Sequence, residues 1–292
     1  MNRHIRLLLP LFLLISAQAQ AQDINAGQFC YLPTQSNVEY SSVQELPVIS
    51  PNEVLAYGKE ALQFGELWLP ASSAKNEEMS VNHPLVVLVH GGCWLNSYDI
   101  RHTHALSTAL SQSGYAVWSI EYRRVGDENG GWPGSYEDIN AAIKYLPKLS
   151  NYPVQLSQVA IVGHSAGGHL ALLAGVNKLY DFKAVIGLAA IVDLEKYSLG
   201  DSSCQRATLD FMGGTAEDLP NEYRAANPAR LDLHELTTLI HGTNDSIVST
   251  KHATSSTARS RVIEGAGHFD MIHPGTQSFR VLLQELATAF RN

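Results

Sequence analysis

The segment that most narrows the fold runs from Val159-Ala160-Ile161-Val162 through Gly163-His164-Ser165-Ala166-Gly167-Gly168 into His169-Leu170-Ala171-Leu172-Leu173-Ala174. The first part is an apolar run of strand length. The last, from Gly168, reads as a helix apolar nearly all round. Neither has a solvent-facing side, so both must be enclosed. A buried strand leading at once into a buried helix is the repeating unit of a parallel sheet covered on both faces. The rest of the chain repeats that alternation. Strands are expected at Glu66 to Leu69, Val86 to Val89, Tyr115 to Glu121, Ala184 to Ala190, Leu236 to Gly242 and Arg261 to Ile263. Helices are expected at His102 to Ser111, Tyr136 to Leu146 and Leu282 to Phe290. Between Asp193 and His234 the pattern breaks up around Gly200, Gly213, Gly214, Pro220 and Pro228. We read residues 193–234 as a cap inserted over the sheet. Residues 53–292 are thus expected to form one α/β domain.

The N-terminus reads differently. Arg3 and Arg6 precede an apolar run, Leu7 to Ile15, and Ala17-Gln18-Ala19-Gln20-Ala21 carries two overlapping A-x-A sites. This is the pattern of an export signal over residues 1–21, ending at 19 or 21, with an apolar run too short to span a bilayer. The expected destination is periplasmic or extracellular, with no membrane anchor. Residues 22–52 have no clear period and are read as an arm. Removing the leader takes two arginines from the 20 basic residues and none of the 28 acidic ones, changing the net charge from −8 to −10. An acidic chain of this kind is a poor partner for nucleic acid. In an exported chain, Cys30, Cys93 and Cys204 allow one internal disulfide. The expected pair is Cys30 with Cys204, leaving Cys93 free.

Gly-His-Ser-Ala-Gly between a strand and a helix is a nucleophile elbow, a turn that lifts the serine hydroxyl clear of the sheet. Serine needs a base, an acid to orient that base and donors for an oxyanion. Downstream the chain offers Asp245, just past a strand in His241-Gly242-Thr243-Asn244-Asp245. It then offers His268, in Glu264-Gly265-Ala266-Gly267-His268-Phe269. Upstream, the run Pro84 to Val89 ends in His90-Gly91-Gly92-Cys93-Trp94. Glycines there let backbone N–H groups reach a carbonyl oxygen. The expected assignments are Ser165 as nucleophile, Asp245 as acid, His268 as base, and the N–H groups of Gly92, Cys93 and Ala166 as oxyanion donors. Trp94 and His164 are the candidates for lining the substrate pocket; the competing reading packs Trp94 beneath the loop and His164 inside the elbow.

These stretches resemble the α/β-hydrolase fold, and within it the esterase branch that carries His-Gly-Gly-x-Trp before the elbow. That branch includes kynurenine formamidases and feruloyl and acetyl-xylan esterase-like enzymes. The resemblance runs from about Tyr57 to the end and includes Glu121-Tyr122-Arg123-Arg124, Trp132-Pro133 with Asp138, and Val192-Asp193-Leu194. It implies a mostly parallel sheet with a small cap, and hydrolysis of a small carboxylic ester through an acyl-enzyme with no cofactor. Cys93 departs from the aromatic or other residue more common in formamidases, which bears on the shape of the acyl pocket. An arylformamidase acting on an N-formylkynurenine-type amide is the alternative with the same site. A binding protein that has lost catalysis is the alternative of another class.

Other residues compete for these roles. Asp193 also follows a strand but reads as a turn residue, and Asp270 as a loop or helix-start residue. His273 reads as a surface residue. His102 and His104, two apart on a helix, diverge and make a poor metal pair, and no metal is expected. Arg123 and Asp138 read as scaffold ion-pair partners.

Overall fold

The computed structural model describes residues 30–71 and 81–291; the expected leader and most of the arm's first residues lie outside them. The chain divides into one unit of residues 1–30 and a second of residues 31–292, and all that follows, Cys30 apart, concerns the second. Its centre is an eight-stranded sheet: β1 (Glu53–Ala56), β2 (Phe64–Trp68), β3 (His83–Val89), β4 (Ala116–Ile120), β5 (Val154–His164), β6 (Ala184–Leu188), β7 (Thr237–Gly242) and β8 (Arg259–Ile263). The strand order is β1-β2-β4-β3-β5-β6-β7-β8. The first two strands join antiparallel, β1 to β2 and β2 to β4, and every later pairing is parallel.

The helices, in chain order, are α1 (Tyr40–Gln44), α2 (His104–Gln112), α3 (Gly134–Tyr145), α4 (Ala166–Val176), α5 (Leu194–Tyr197), α6 (Ser203–Met212), α7 (Pro220–Ala226), α8 (Lys251–Thr254) and α9 (Gln277–Ala289). Because side chains alternate along a strand, β3 feeds two cores. Leu85, Val87 and Val89 point to one face, with Ile139 and Ile143 of α3 and Leu170 and Leu173 of α4. Val86 and Leu88 point to the other, with Leu106 and Leu110 of α2 and Leu282 and Leu286 of α9. Burying each such side chain contributes about 1.5–3 kcal/mol. Both faces of the middle strands therefore have to be apolar, and that is why they read as continuous runs.

The elements differ from expectation mainly at their ends. β5 starts five residues before Val159, and its first residues, Val154 to Gln158, include polar ones that the apolar run excluded. β1 was not expected at all: only one of its four residues is even half-buried, so it lacks a core-facing period. The helix expected from His102 begins instead with a 3-10 turn, Ile100–Thr103, whose start is capped by the Asp99 carboxylate. α9 begins at Gln277, five residues before Leu282. Residues 193–234 hold α5, α6 and α7, and the apolar residues Leu194, Tyr197, Phe211, Met212 and Tyr223 pack into the core on the α3–α4 side.

Candidate active site

Ser165 sits between the end of β5 and the start of α4, with φ 55° and ψ −117°. A non-glycine residue there costs about 1–3 kcal/mol, which the surrounding structure must impose. It does so from two sides. The Ser165 N–H donates to the Leu188 carbonyl of β6 at 2.8 Å, and the Ser165 carbonyl accepts from the His169 N–H at 3.1 Å. Close approach sets the glycines around it: a Cβ at Gly167 would lie 2.2 Å from the His90 carbonyl oxygen. One at Gly91 would lie 3.2 Å from the Ser165 Cβ. The loop after β3 and the elbow are thus pressed together. Ala166 is the first residue of α4, so its N–H has no acceptor within the helix and lies at the positive end of the helix dipole.

Asp245 and His268 come together from the loops after β7 and β8. His268 Nδ1 donates to Asp245 Oδ2 at 2.8 Å, with both side chains buried. The other Asp245 oxygen accepts the N–H groups of Ile247 at 2.9 Å and Val248 at 2.8 Å. His241 Nε2, which donates to the Val248 carbonyl at 2.7 Å, also lies 3.2 Å from Asp245 Oδ2. Burial opposes ionisation of Asp245, but the hydrogen bonds from His241, His268 and Val248 outweigh it and hold its pKa well below the usual carboxylate range. A carboxylate so held keeps the proton of His268 on Nδ1 and leaves Nε2 as the ring's basic nitrogen.

His164 ties the elbow to the His268 loop. Its Nε2 lies 3.1 Å from the His268 carbonyl, which only accepts, so Nε2 carries the proton. Its Nδ1 then accepts from His102 Nε2 at 2.8 Å. Burial, with the nearby charges of His90 and His268, pulls His102 down to about 3; burial with His268 and His102 depresses His164 likewise. Both rings are therefore neutral and act as fixed struts. The pocket-lining reading of His164 and Trp94 is corrected in favour of the packing one. Both are wholly buried. Trp94 stacks on Phe211 of α6, centroids 4.7 Å apart and planes 17° off parallel, with His169 edge-on at 5.4 Å.

The loop carrying Gly92 and Cys93 hangs on a buried charge cluster. His90 Nε2 bonds Glu121 Oε1 at 2.9 Å, and Arg124 Nη1 lies 3.2 Å from the same oxygen. Glu121 Oε2 accepts the Ile100 N–H at 3.0 Å, and Tyr122 donates its hydroxyl to the His90 carbonyl at 2.9 Å. Burial works against the Glu121 charge, yet His90, Arg124 and the Ile100 N–H keep its pKa below the ordinary value. Removing one partner from such a cluster costs about 3–5 kcal/mol, because a buried charge is left uncompensated.

The cysteine expectation is overturned. Cys93 bonds Cys204, with Cα atoms 5.1 Å apart, and Cys30 is free and exposed. The cap folds back onto the loop after β3, so residues 111 apart in sequence meet there. His273 is corrected too: it is 6% exposed, and its Nδ1 accepts the Gly275 N–H at 3.0 Å inside a tight turn. Asp193 caps α5 by accepting the Lys196 N–H, far from any role toward His268. Asp270 is wholly buried and grips the arm, accepting the N–H groups of Asn37 and Val38 at 3.0 Å each and of Gly267 at 2.9 Å. On the same side Tyr40 of α1 packs on Phe269, centroids 5.1 Å apart. Arg123 and Asp138 form the expected pair, Nη2 to Oδ1 at 2.6 Å. His102 and His104 diverge, the latter to Glu66 at 2.8 Å, and no metal-binding cluster occurs among the described residues.

Sequence reasoning missed His102, Glu121, His241 and Asp270. Their signals were present as polar residues at the ends of apolar strands or beside the triad candidates, but their partners lie far away in the chain.

A mostly parallel sheet with a strained serine at the end of its central strand, followed by an Asp–His pair on later strand ends, defines an α/β-hydrolase. The sequence matches the BD-FAE family over residues 73–259, more than half its length, and the chain belongs to that family of α/β-hydrolase esterases. It is 26% identical over 246 residues to esterase LipC of Mycobacterium tuberculosis, covering 74% of this chain and 59% of LipC. Over 95 residues it is 41% identical to neutral cholesterol ester hydrolase 1 of Pongo abelii, covering 31% of this chain and 23% of that protein. The chain thus spans less than two thirds of these relatives. Among solved structures, esterase B of Lactobacillus Rhamnosis superposes with a TM-score of 0.67 at 22% identity, covering 85% of this chain and 89% of that one. A truncated carbohydrate esterase from gut microbiota superposes with a TM-score of 0.66 at 21% identity, covering 88% and 100%. These likenesses establish the fold.

Proposed function

We propose that the protein hydrolyses small carboxylic esters through an acyl-enzyme on Ser165. The observation that carries this reading is the 2.8 Å hydrogen bond from His268 Nδ1 to a buried Asp245, in a fold whose elbow serine has φ 55°. Ser165 attacks the acyl carbon while His268 Nε2 takes its proton. The oxyanion rests on the N–H groups of Ala166, Gly92 and Cys93, each such donor being worth roughly 3–4 kcal/mol in the transition state. Collapse expels the alcohol, protonated by His268, which then activates water to release the acid. No step requires a cofactor. The names of LipC and of the other esterase relatives support the ester over the amide.

We also propose export. The leader pattern supports it, and so does a disulfide, since such bonds persist in oxidising compartments. No helix among the described residues is long and apolar enough to cross a membrane.

Purified protein assayed on p-nitrophenyl acetate, p-nitrophenyl butyrate and an N-formyl aniline distinguishes the readings. Ester turnover at least about 100-fold above formanilide turnover is expected, a gap of roughly 2.7 kcal/mol in activation free energy. Formanilide turnover alone would move the assignment to an arylformamidase. Silence on every substrate would favour a binding protein on this scaffold.

A further inference from the structure

Gly92, Cys93 and Trp94 have φ values of 108°, 54° and 58°. Two of these three successive left-handed residues carry side chains, a conformation that ordinary L-residues leave unless something holds them. Both side chains are held, and by the same helix. Cys93 is bonded to Cys204 near the start of α6, and the Trp94 ring stacks on Phe211 near its end. Cys204 and Phe211 are seven residues apart, two helical turns, and so share one face. The far end of α6 is itself fixed, by the Trp132 N–H donating to the Phe211 carbonyl at 2.7 Å. Its start is set by a capping box between Ser202 and Gln205, which places Cys204 in the first turn. α6 therefore lies as a strut across the loop, with one covalent and one aromatic attachment to adjacent residues.

We propose that Cys204, in the cap, is a positioning residue for the oxyanion donors: its bond to Cys93 keeps that residue in the left-handed conformation that aims the loop's N–H groups at the substrate oxygen. This rests on the reading of the site as a serine esterase. It departs from an ordinary disulfide role, because the bond acts on the transition state and not only on the stability of the cap. Loss of the bond leaves ground-state binding nearly intact and weakens the hold on the tetrahedral oxyanion.

The test compares Cys204→Ala, Cys93→Ala and the double variant, all with Cys30→Ser so that no other thiol can exchange. For each, kcat and KM on p-nitrophenyl butyrate are measured, with the inhibition constant of an alkyl trifluoromethyl ketone, whose serine adduct carries an oxyanion. The expected result is a kcat about tenfold lower, a fraction of the loss from deleting a whole donor, with KM changed less than about twofold. The ketone should weaken by the same factor as kcat. The double variant should match the single ones, because all three lose one bond.

Should these variants not fold, dithiothreitol replaces them in the Cys30→Ser protein. Two electrons and two protons from the dithiol convert the Cys93–Cys204 bond into two thiols and leave the reagent as its cyclic disulfide. Activity should fall in step with alkylatable thiols while the far-UV circular dichroism stays constant. Folded, bond-free protein with unchanged kcat and ketone affinity, and only a lower Tm, overturns the proposal. Ester hydrolysis that survives Ser165→Ala overturns the underlying reading instead, a separate result.

Discussion

Ser165→Ala is expected to lower kcat on p-nitrophenyl butyrate by about 10⁴-fold or more while the protein folds and melts as before. Alanine deletes only an oxygen, and the residue carries no side-chain hydrogen bond that the fold depends on among those described. The left-handed backbone at this position disfavours alanine no more than serine. Activity should drop to whatever the oxyanion donors and substrate binding supply without a nucleophile, read in a spectrophotometric assay beside a thermal melt. A variant that keeps its melt and loses its turnover separates chemistry from scaffold. Equal turnover in the two proteins would remove Ser165 from the mechanism.

The second large effect falls on Asp245. Asp245→Asn is expected to reduce kcat by about 10³–10⁴-fold, with KM nearly unchanged. The reason lies in the donors around the carboxylate. Ile247 and Val248 N–H groups point at Oδ1, and His241 and His268 at Oδ2, so each oxygen is needed as an acceptor. An asparagine that satisfies the two backbone donors turns its NH2 toward His268. That ring must then accept at Nδ1 and carry its proton on Nε2, where it is no longer a base.

The same geometry sets a pH dependence. The folded-state pKa of Asp245 is depressed, so its contribution to stability is complete above the unfolded carboxylate value. It is lost as the pH falls through the lower folded value. Urea melts between neutral pH and about pH 3 should show this acid-side loss in the wild type and a smaller loss in Asp245→Asn. An identical acid profile in both would mean that Asp245 is not the carboxylate that these donors hold ionised.

What the sequence made legible was local. The elbow announces itself because the strand, the turn and the helix are contiguous, and the small residue at Gly163 is demanded by the Gly167 carbonyl close at hand, whereas Gly167 is demanded by the distant His90 backbone. Asp245 and His268 could be read because each follows its own strand within a few residues. The supports were not readable, because their partners are brought in by the fold. Glu121 stands after β4 as an isolated acid, and only the parallel pairing of β4 with β3 sets it under His90. His102 reads in the sequence only as a histidine that diverges from His104, and it is the 3-10 turn before α2 that carries it to His164.

The cysteines went wrong for the same reason. Spacing carries no information about a cap that folds back over the sheet, so the pairing of Cys93 with Cys204 needed coordinates. For Trp94 the sequence leaves packing beneath the loop and pocket lining both open, and its ring takes the first, turned into the core against Phe211. Asp270 is the helix-start residue that the sequence allows, in the first turn of the 3-10 helix Phe269–Ile272, but its grip on Asn37 and Val38 depends on an arm whose sequence has no period to reveal where it lies.

The central claim is that Ser165 is made nucleophilic by His268 and Asp245 and forms a covalent acyl-enzyme. The most direct measurement is peptide-resolved mass spectrometry after incubation with an alkyl p-nitrophenyl phosphonate, which leaves a stable tetrahedral adduct on an activated serine. The account predicts one adduct per chain, on the peptide containing Ser165, formed at a rate that falls by orders of magnitude in His268→Ala and absent in Ser165→Ala. An adduct on another residue, or labelling of Ser165 at the same rate without His268, would contradict it.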